Sequence, residues 1–466
     1  MEYMLESGTI TTEIEMKAIE YINAGYQALL TFECDDGGFN WWEGDNPGNA
    51  ILSALSIMMF TDTKAIYDTV DEAVNKRTAE YLAAVQQSNG SWSEETHLHA
   101  GNESLGASSL RGTCYITWSL AYGGFGDMPA VAKALTYIQS NLPAEKEDYT
   151  LAMCANALVQ AKTGGSLVST VLKDLHDKAI VGDGTVHWGT SGDTVMNSGG
   201  GAADVELSAL IALAMAANGS FPQDVNGVVE YLVQSKDPQG NWGYNTQATV
   251  LALKVFLASL TANPGETDAE VIVSIDGEKL DKKTFDNFNK DVVYQLEVTT
   301  GLEKGDHLVE LDYAGTGALS YQIIGTHYVP WEGADLPVGP LAIEVSYDAT
   351  TVHVDDVITA TVTVTNTDES AKGMVLVTVG LPPGFTLVSQ DLAALKAEGK
   401  LNNFEVMGKQ LILYFNEIPA GVPTQVSYSL IADYPVKAET GGSEAKYYYN
   451  AEVKGEEESQ KIEVLP

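Results

Sequence analysis

Gln87-Ser88-Asn89-Gly90-Ser91-Trp92 and Gln234-Ser235-Lys236-Asp237-Pro238-Gln239-Gly240-Asn241-Trp242 are two copies of one turn, and their reading decides the fold. Each follows a stretch with apolar residues at helical spacing, closed by Glu80-Tyr81-Leu82 in the first case and Glu230-Tyr231-Leu232 in the second. Glu20-Tyr21-Ile22 and Thr136-Tyr137-Ile138 close two more such stretches. Asp35-Asp36-Gly37-Gly38-Phe39 and Asp183-Gly184-Thr185-Val186-His187-Trp188 are variants of the turn. A short, strongly apolar helical segment comes next each time: residues 50–60, 113–122, 149–161, 205–217 and 249–260.

The repeat length, roughly 50 residues, marks stacked units that cannot bury their apolar faces alone. Each unit pairs an amphipathic helix with a helix apolar nearly all round, so two concentric layers follow, with the apolar helices inside. Glycine lets the chain turn sharply and the aromatic ring covers the helix end. About six pairs fit into the first 262 residues, which predicts a closed α/α toroid.

Near residue 262 the composition changes to alternating Val, Ile, Thr and Tyr punctuated by Gly and Pro, the signature of strands. Residues 262–266 form a joint. Strands are expected at 270–275, 292–299 and 307–313, with Asp276-Gly277 as a hairpin turn. After a linker at 333–340, Thr359-Ala360-Thr361-Val362-Thr363-Val364-Thr365 alternates with period 2. Further strands at 375–381, 411–415 and 426–432 and one short helix at 390–398 complete a β-sandwich. The fold class is therefore multidomain: a toroid over 1–262, a β block over 263–332 and a sandwich over 338–466.

With 466 residues the chain has room for about three domains. Its 25 Lys+Arg against 64 Asp+Glu give a formal charge of −39, and Arg77 and Arg111 are the only arginines. Such a surface repels phosphate backbones and anionic lipid, which argues against nucleic acid and membrane surfaces as partners. The most apolar stretch, 207–217, is too short for a membrane span and reads as a buried helix. The first residues, Met1-Glu2-Tyr3-Met4-Leu5-Glu6, lack a signal-peptide pattern, so an exported native protein would have lost its leader or have this chain as an internal piece. Cys34, Cys114 and Cys154 lie far apart, with no disulfide framework or zinc spacing; the last two read as small buried hydrophobes.

Barrels of this kind also serve zinc prenyltransferases and proton-driven terpene cyclases. Here position 32 is Phe where a carboxylate two before Cys34 would be needed, and no Asp-x-Asp-Asp acid stands in the toroid. Asp35, Asp36, Glu43 and Asp45 cluster beside Trp41 and Trp42, which could suit a hard cation or a sugar, although a solvated turn is the simpler reading. His97 and His99, with Glu103 near, occupy a polar loop where a proton relay could sit. His187 is expected to bond a backbone group, and His176 suggests no function.

Lys17-Ala18-Ile19-Glu20-Tyr21-Ile22-Asn23-Ala24-Gly25-Tyr26-Gln27 resembles the segment downstream of the thioester in α2-macroglobulin and complement proteins. Gly184-Thr185-Val186-His187-Trp188, Ala203-Asp204-Val205-Glu206-Leu207-Ser208-Ala209 and Thr246-Gln247-Ala248-Thr249-Val250-Leu251-Ala252-Leu253 are similar to that family too. Leu381-Pro382-Pro383-Gly384-Phe385, Asp433-Tyr434-Pro435-Val436 and Tyr447-Tyr448-Tyr449 resemble its C-terminal receptor-binding domain. The order agrees as well: toroid, partial CUB-like block, macroglobulin-type sandwich.

The resemblance implies a non-enzymatic endopeptidase inhibitor that traps proteases after bait cleavage and needs no cofactor. In the family a Cys and a Gln three residues on form a thioester, sheltered until cleavage and then open to an amine or hydroxyl. None of the three cysteines here has Gln or Glu three residues later, so the motif is not in this chain. The chain is accordingly expected to be the C-terminal fragment of a larger protein, with the N-terminal macroglobulin domains as its structural partners and proteases as the target. His99, or His97, falls near the place where complement-type relatives carry a thioester-assisting His. In 390–398 only Lys396 is basic, so receptor docking is not expected. Acidity, few arginines and missing disulfides suggest a microbial surface or periplasmic protein. Two other readings remain: a non-covalent surface scaffold, and a carbohydrate-active or cyclase-like enzyme using Asp35, Asp36, Trp41 and Glu43.

Overall fold

The computed structural model describes residues 12–41, 47–67, 70–92, 109–190, 194–195, 198–236, 241–243, 245–262, 267–286, 289, 294–298, 302, 304–317, 321, 323, 325, 339–448 and 450–466. Ten α-helices lie among the described residues up to Ala262, in five outer–inner pairs. They are α1 (Thr12–Leu30) and α2 (Ala50–Lys64), α3 (Glu72–Ala84) and α4 (Ser109–Tyr122), α5 (Pro129–Asn141) and α6 (Asp148–Gln160), α7 (Gly165–Asp177) and α8 (Gly200–Asn218), α9 (Pro222–Gln234) and α10 (Thr246–Ala262). The even-numbered helices form the inner layer: α2 packs on α4, α4 on α6, α6 on α8 and α8 on α10. Each odd-numbered helix lies against the inner helix that follows or precedes it. The segments read as apolar all round are the inner ones, and α6 and α8 are buried along most of their length. By composition alone α8 is long and apolar enough to cross a membrane, yet it is a core helix of the toroid.

One hydrogen-bond scheme repeats at the aromatic turns. The indole Nε1 of Trp92 donates to Leu82 O at 2.8 Å, that of Trp188 to Leu175 O at 2.7 Å and that of Trp242 to Leu232 O at 2.8 Å. Each acceptor lies two residues before the end of an outer helix, in the last turn, where carbonyls run out of i+4 donors. A hydroxyl on the following inner helix then takes the aromatic residue's backbone N–H: Ser53 for Phe39, Thr113 for Trp92, Ser208 for Trp188 and Thr249 for Trp242. The aromatic ring thus covers the helix end as expected, and its polar edge also caps it. Gly90 has φ +91°, and a Cβ there would stand 2.5 Å from Lys133 O, so this turn admits no side chain.

One expectation about the toroid is corrected. Cys114 and Cys154 are not separate buried hydrophobes: they form a disulfide between α4 and α6, both cysteines fully buried. Their separation of 40 residues hid the pairing, because adjacent inner helices bring together positions one repeat apart. The argument from missing disulfides falls with it. His176, at the end of α7, makes a structural contact: Nδ1 lies 2.6 Å from Asp224 Oδ2 in the first turn of α9, and its ring stacks on Phe221.

Within the toroid the short strands β1 (Ile180–Val181) and β2 (Val186–His187) pair antiparallel. Beyond residue 266, β3 (Asp268–Ile275) pairs antiparallel with β4 (Glu278–Asp286) and β5 (Val309–Thr316). Residues 294–298, expected as part of a strand, are not one. In the sandwich, β6 (Leu341–Tyr347), β8 (Val357–Asn366), β10 (Phe385–Leu387) and β13 (Thr424–Ala432) make a sheet of order β10-β13-β8-β6. The facing sheet has order β11-β12-β9-β15-β16, built from β9 (Lys372–Gly380), β11 (Asn403–Met407), β12 (Gln410–Ile418), β15 (Ser443–Tyr447) and β16 (Asn450–Glu457). The short strands β7 (Thr351–His353), β14 (Val436–Glu439) and β17 (Lys461–Leu465) form a third sheet. Ile358, Ala360, Val362 and Val364 of β8 point inward at every second position, opposite Val375, Val377, Val379, Leu411, Leu413 and Phe415. The expected short helix is α11 (Ser389–Ala397). The joint at 263–266 and most of the linker at 333–340 lie outside the described residues.

Candidate functional site

The two ends of the toroid are unlike. Where inner helices end and outer ones begin, the connections are short: 65–71, 123–128, 161–164 and 219–221. At the opposite end, where inner helices begin, the connections 31–49, 85–108, 178–199 and 235–245 are long, while 142–147 is short. Long loops on a rigid scaffold are where function concentrates. The same end meets the sandwich: Asn450 of β16 abuts Gly199 at the start of α8, where a Cβ would come within 2.9 Å of its amide nitrogen.

Beneath this mouth lies a buried polar cluster centred on Glu206, which is 0% exposed. Glu206 sits in the second turn of α8. Ser198 Oγ donates to its Oε2 at 2.6 Å and the Tyr149 hydroxyl, from the first turn of α6, donates to Oε1. Asn245 Nδ2, just before α10, donates to Ser198 Oγ at 3.0 Å, and Val195 N donates to the Tyr149 oxygen at 3.1 Å. Burial pushes the Glu206 carboxyl up from its ordinary value, while the bonds from Ser198, Tyr149 and Thr194 and the charge of Arg111 pull it back. The Tyr149 phenol is driven well up by burial and by the carboxylate beside it.

Arg111 belongs to the same layer. Its Nε donates to Thr150 Oγ1 at 3.1 Å, Nη2 lies 3.3 Å from Glu147 Oε2, and the guanidinium stands 5.3 Å from the centre of the Tyr149 ring. Glu147 also caps α6, accepting from Tyr149 N and Thr150 N at 3.0 and 2.6 Å. One turn deeper, the Cys114–Cys154 disulfide joins the same two helices. The beginnings of α4, α6, α8 and α10 are therefore tied together by charge, hydrogen bonds and one covalent bond. A mouth so fixed can hold a loop or a reactive group away from water.

The residues singled out from the sequence are placed as follows. Asp35 and Asp36 are exposed. Asp36 Oδ1 accepts from Gly38 N and Oδ2 from Gly48 N, both at 3.0 Å, so this carboxylate closes the loop between α1 and α2. Trp41 is half-buried beside it, and its backbone N–H donates to Asn40 Oδ1 at 2.7 Å. Glu43, Trp42, Asp45, His97, His99 and Glu103 lie outside the described residues. Among the described residues no cluster of three or more His, Cys, Asp or Glu side chains is set to hold a metal. Cys34 is buried, and burial together with Asp36, Asp35 and Glu33 pushes its thiol up, away from the reactive thiolate. Among the described residues His187 bonds no backbone group: its ring stacks on Tyr231 at 4.5 Å, and its buried Nδ1 has no hydrogen-bond partner there.

The Glu206 cluster was not read from the sequence as a site. Its one signal was a Glu near the start of the apolar helical segment 205–217, a position where an ionisable residue is rare unless paired.

A family model described as the A-macroglobulin TED domain matches residues 1–258, and one described as the A-macroglobulin receptor binding domain matches residues 370–458. The chain is similar to ovostatin of Gallus gallus, 22% identical over 466 residues that cover 94% of this chain and 30% of ovostatin. It is similar to alpha-2-macroglobulin-like protein 1 of Mus musculus, 23% identical over 452 residues, covering 92% and 30% of the two chains. It thus spans about 30% of the length of these relatives. Among solved structures, native alpha-2-macroglobulin from Escherichia coli, spanning domain MG7 to the C-terminus, superposes with a TM-score of 0.66 at 16% identity, over 99% of this chain and 70% of that one. Salmonella alpha-2-macroglobulin reacted with methylamine gives 0.69 at 16% identity, over 99% and 28%. At such identity these superpositions speak for the fold alone. Collinear matches to both domain models, the first covering more than half of the length, establish that the chain belongs to the α-macroglobulin family.

Proposed function

We propose that this chain is the toroid and C-terminal sandwich of an endopeptidase inhibitor that traps proteases after bait cleavage. In this reading residues 1–262 are the thioester-type toroid, 263–332 the second part of a CUB-like β domain and 338–466 a receptor-binding-like sandwich. The observation that carries it is the TED-domain match over 1–258, followed in order by the receptor-binding match over 370–458. The chain's share of the work is shelter. The tied mouth around Glu206 keeps water from an acyl group held there, and the surrounding macroglobulin domains release it on cleavage. His99, or His97, in the connection between α3 and α4, is the candidate to assist acyl transfer. The Cys114–Cys154 disulfide supports an oxidising location, at the cell surface or in the periplasm.

The test uses the longer native polypeptide that contains this chain. Incubated with an endopeptidase, a trap suppresses cleavage of a large protein substrate while a small chromogenic peptide is still cut. Treatment with methylamine beforehand, with thiol titration and a mass check, should release one thiol and add one amine. Equal loss of both activities, or of neither, rejects trapping. Trapping without a methylamine-releasable thiol rejects the covalent step and leaves a non-covalent trap.

A further inference from the structure

A hairpin tip of the sandwich reaches the mouth of the toroid. Tyr447, the last residue of β15, pairs with Asn450, the first of β16, and Tyr448 N pins the tip to its own sheet by donating to Met374 O at 2.8 Å. Asn450 there meets Gly199, the residue before α8, and β16 packs on α8. Gly199 has φ −126° and ψ 168°, extended backbone that any residue adopts, so its conformation does not ask for glycine. The approach of Asn450 does: a Cβ on residue 199 would stand 2.9 Å from Asn450 Nδ2 and 3.0 Å from Asn450 Cβ. Gly199 gives α8 no side-chain cap, and the Asn450 side chain stands where one would project.

What holds Gly199 in that place lies beneath it. Its neighbour Ser198 donates through Oγ to Glu206 Oε2 at 2.6 Å and through its backbone N–H to Thr194 Oγ1 at 2.8 Å. The Thr194 side chain bonds the same carboxylate, and Val195 N reaches it through the Tyr149 hydroxyl. Thr194, Val195 and Ser198 are buried, although they belong to the long connection that precedes α8. Beyond them Gly199, Gly200 and Gly201 follow in a row, and Gly200 takes φ +57°, so the backbone offers little stiffness of its own. The position of Gly199 is therefore set from the side of Glu206. Toroid and sandwich have separate apolar cores, and domains joined without a large apolar interface move relative to each other unless a specific contact fixes them.

We infer that Glu206 is the positioning residue that seats the sandwich on the toroid: its bonds to Thr194, Ser198 and Tyr149 hold Gly199 where it receives the hairpin tip at Asn450. Without the carboxylate, Ser198 and Gly199 shift on the run of glycines and the hairpin loses its seat, while each domain keeps its own core. The coupling runs both ways, so a seated hairpin favours the bonded arrangement of Glu206. The contact is internal to this chain and is read in it alone, so the outcome stands whether or not a longer polypeptide traps proteases.

The experiment reads the contact as a disulfide. A Cβ on residue 199 would lie 3.0 Å from that of Asn450, close to the roughly 3.5–4.5 Å that a disulfide spans, so Gly199→Cys combined with Asn450→Cys should close. Cys34 is buried and Cys114 is bonded to Cys154, which leaves the new pair as the reactive thiols. The effective concentration of the pair is measured against glutathione in the folded 466-residue chain, with the linkage checked by peptide mass spectrometry. Adding Glu206→Ala should lower it at least about tenfold, and Glu206→Gln, which keeps an acceptor, should lower it less. Ser198→Ala removes only the loop hydroxyl and should also lower it, which keeps the test alive where Glu206→Ala fails to fold. Ile138→Ala empties a fully buried site on α5, away from this cluster, and should leave the value unchanged. A parent pair that does not close overturns the proposal, as do unchanged values in Glu206→Ala and Ser198→Ala. An equal fall in Ile138→Ala overturns it too, because general loosening of the toroid then accounts for the loss.

Discussion

The indole of Trp188 donates to the carbonyl of Leu175 at 2.7 Å, and the backbone N–H of Trp188 donates to Ser208 Oγ at 3.0 Å. One residue thus caps an outer helix and docks it to an inner one. Trp188→Phe keeps most of the buried ring but removes the indole bond to the Leu175 carbonyl, which is left with the 3.1 Å bond from Lys178 N alone. The expected loss is about 1 kcal/mol of unfolding free energy, read by urea denaturation. The first turn has Phe39 in the same place, so the toroid should still form; a variant as stable as the parent would reject the capping role.

Removing Glu206 should cost more. Glu206→Ala strands the Tyr149 and Ser198 hydroxyls in a dry site, and we expect a loss of about 3 kcal/mol or more. Glu206→Gln retains an acceptor for one of them and should lose less than half as much. Equal losses for both variants would show that volume, not the hydrogen bonds, matters at this position.

The Cys114–Cys154 bond predicts one titratable thiol, that of Cys34, in the denatured and unreduced chain. Non-reducing peptide mapping should recover the peptides of Cys114 and Cys154 linked. Changing both to Ser should lower stability by about 4 kcal/mol on the chain-entropy model for a loop of this length. Three free thiols before reduction would refute the pairing.

In the sandwich, burial raises Glu457 from 4.5 to about 7, helped by the charge of Glu344 and opposed by bonds from Val345 N and Gln460. The folded value exceeds the unfolded one, so the fold favours the protonated carboxyl. Its stabilising contribution is complete below about pH 4.5 and is lost as pH rises through about 7. The transition of the sandwich should therefore lie higher at pH 5 than at pH 8 by calorimetry, and Glu457→Gln should shrink the difference. Glu206 has a shift of the same sign but belongs to the toroid, so the two effects separate by transition. An unchanged difference in Glu457→Gln would assign the pH dependence elsewhere.

Asp36→Ala distinguishes a structural carboxylate from a catalytic one. Its two oxygens hold Gly38 N and Gly48 N, so the variant should lose about 1–2 kcal/mol of stability. Any carbohydrate turnover abolished by the substitution at unchanged stability would favour the enzyme reading instead.

The repeat of Gly-Trp turns, the apolar segments between them and the period-2 run at 359–365 were enough to read a toroid followed by β domains. These patterns are local: a helix or strand declares its buried face through residues three, four or two positions apart, and a turn through its glycine. The family resemblance was legible for the same reason, in motifs that each span a few consecutive residues.

What decided the site was not local. Glu206 meets Tyr149 across 57 residues, Cys114 meets Cys154 across 40, and Lys254 meets Tyr122 across 132. Each pair is joined because packing puts one helix beside another, a condition that sequence spacing does not encode. The aromatic residue of each turn was visible in the sequence. That its indole would reach back to cap the preceding helix, and that a serine or threonine of the next helix would hold its N–H, was settled only when the helices packed and left those polar groups no water to bond.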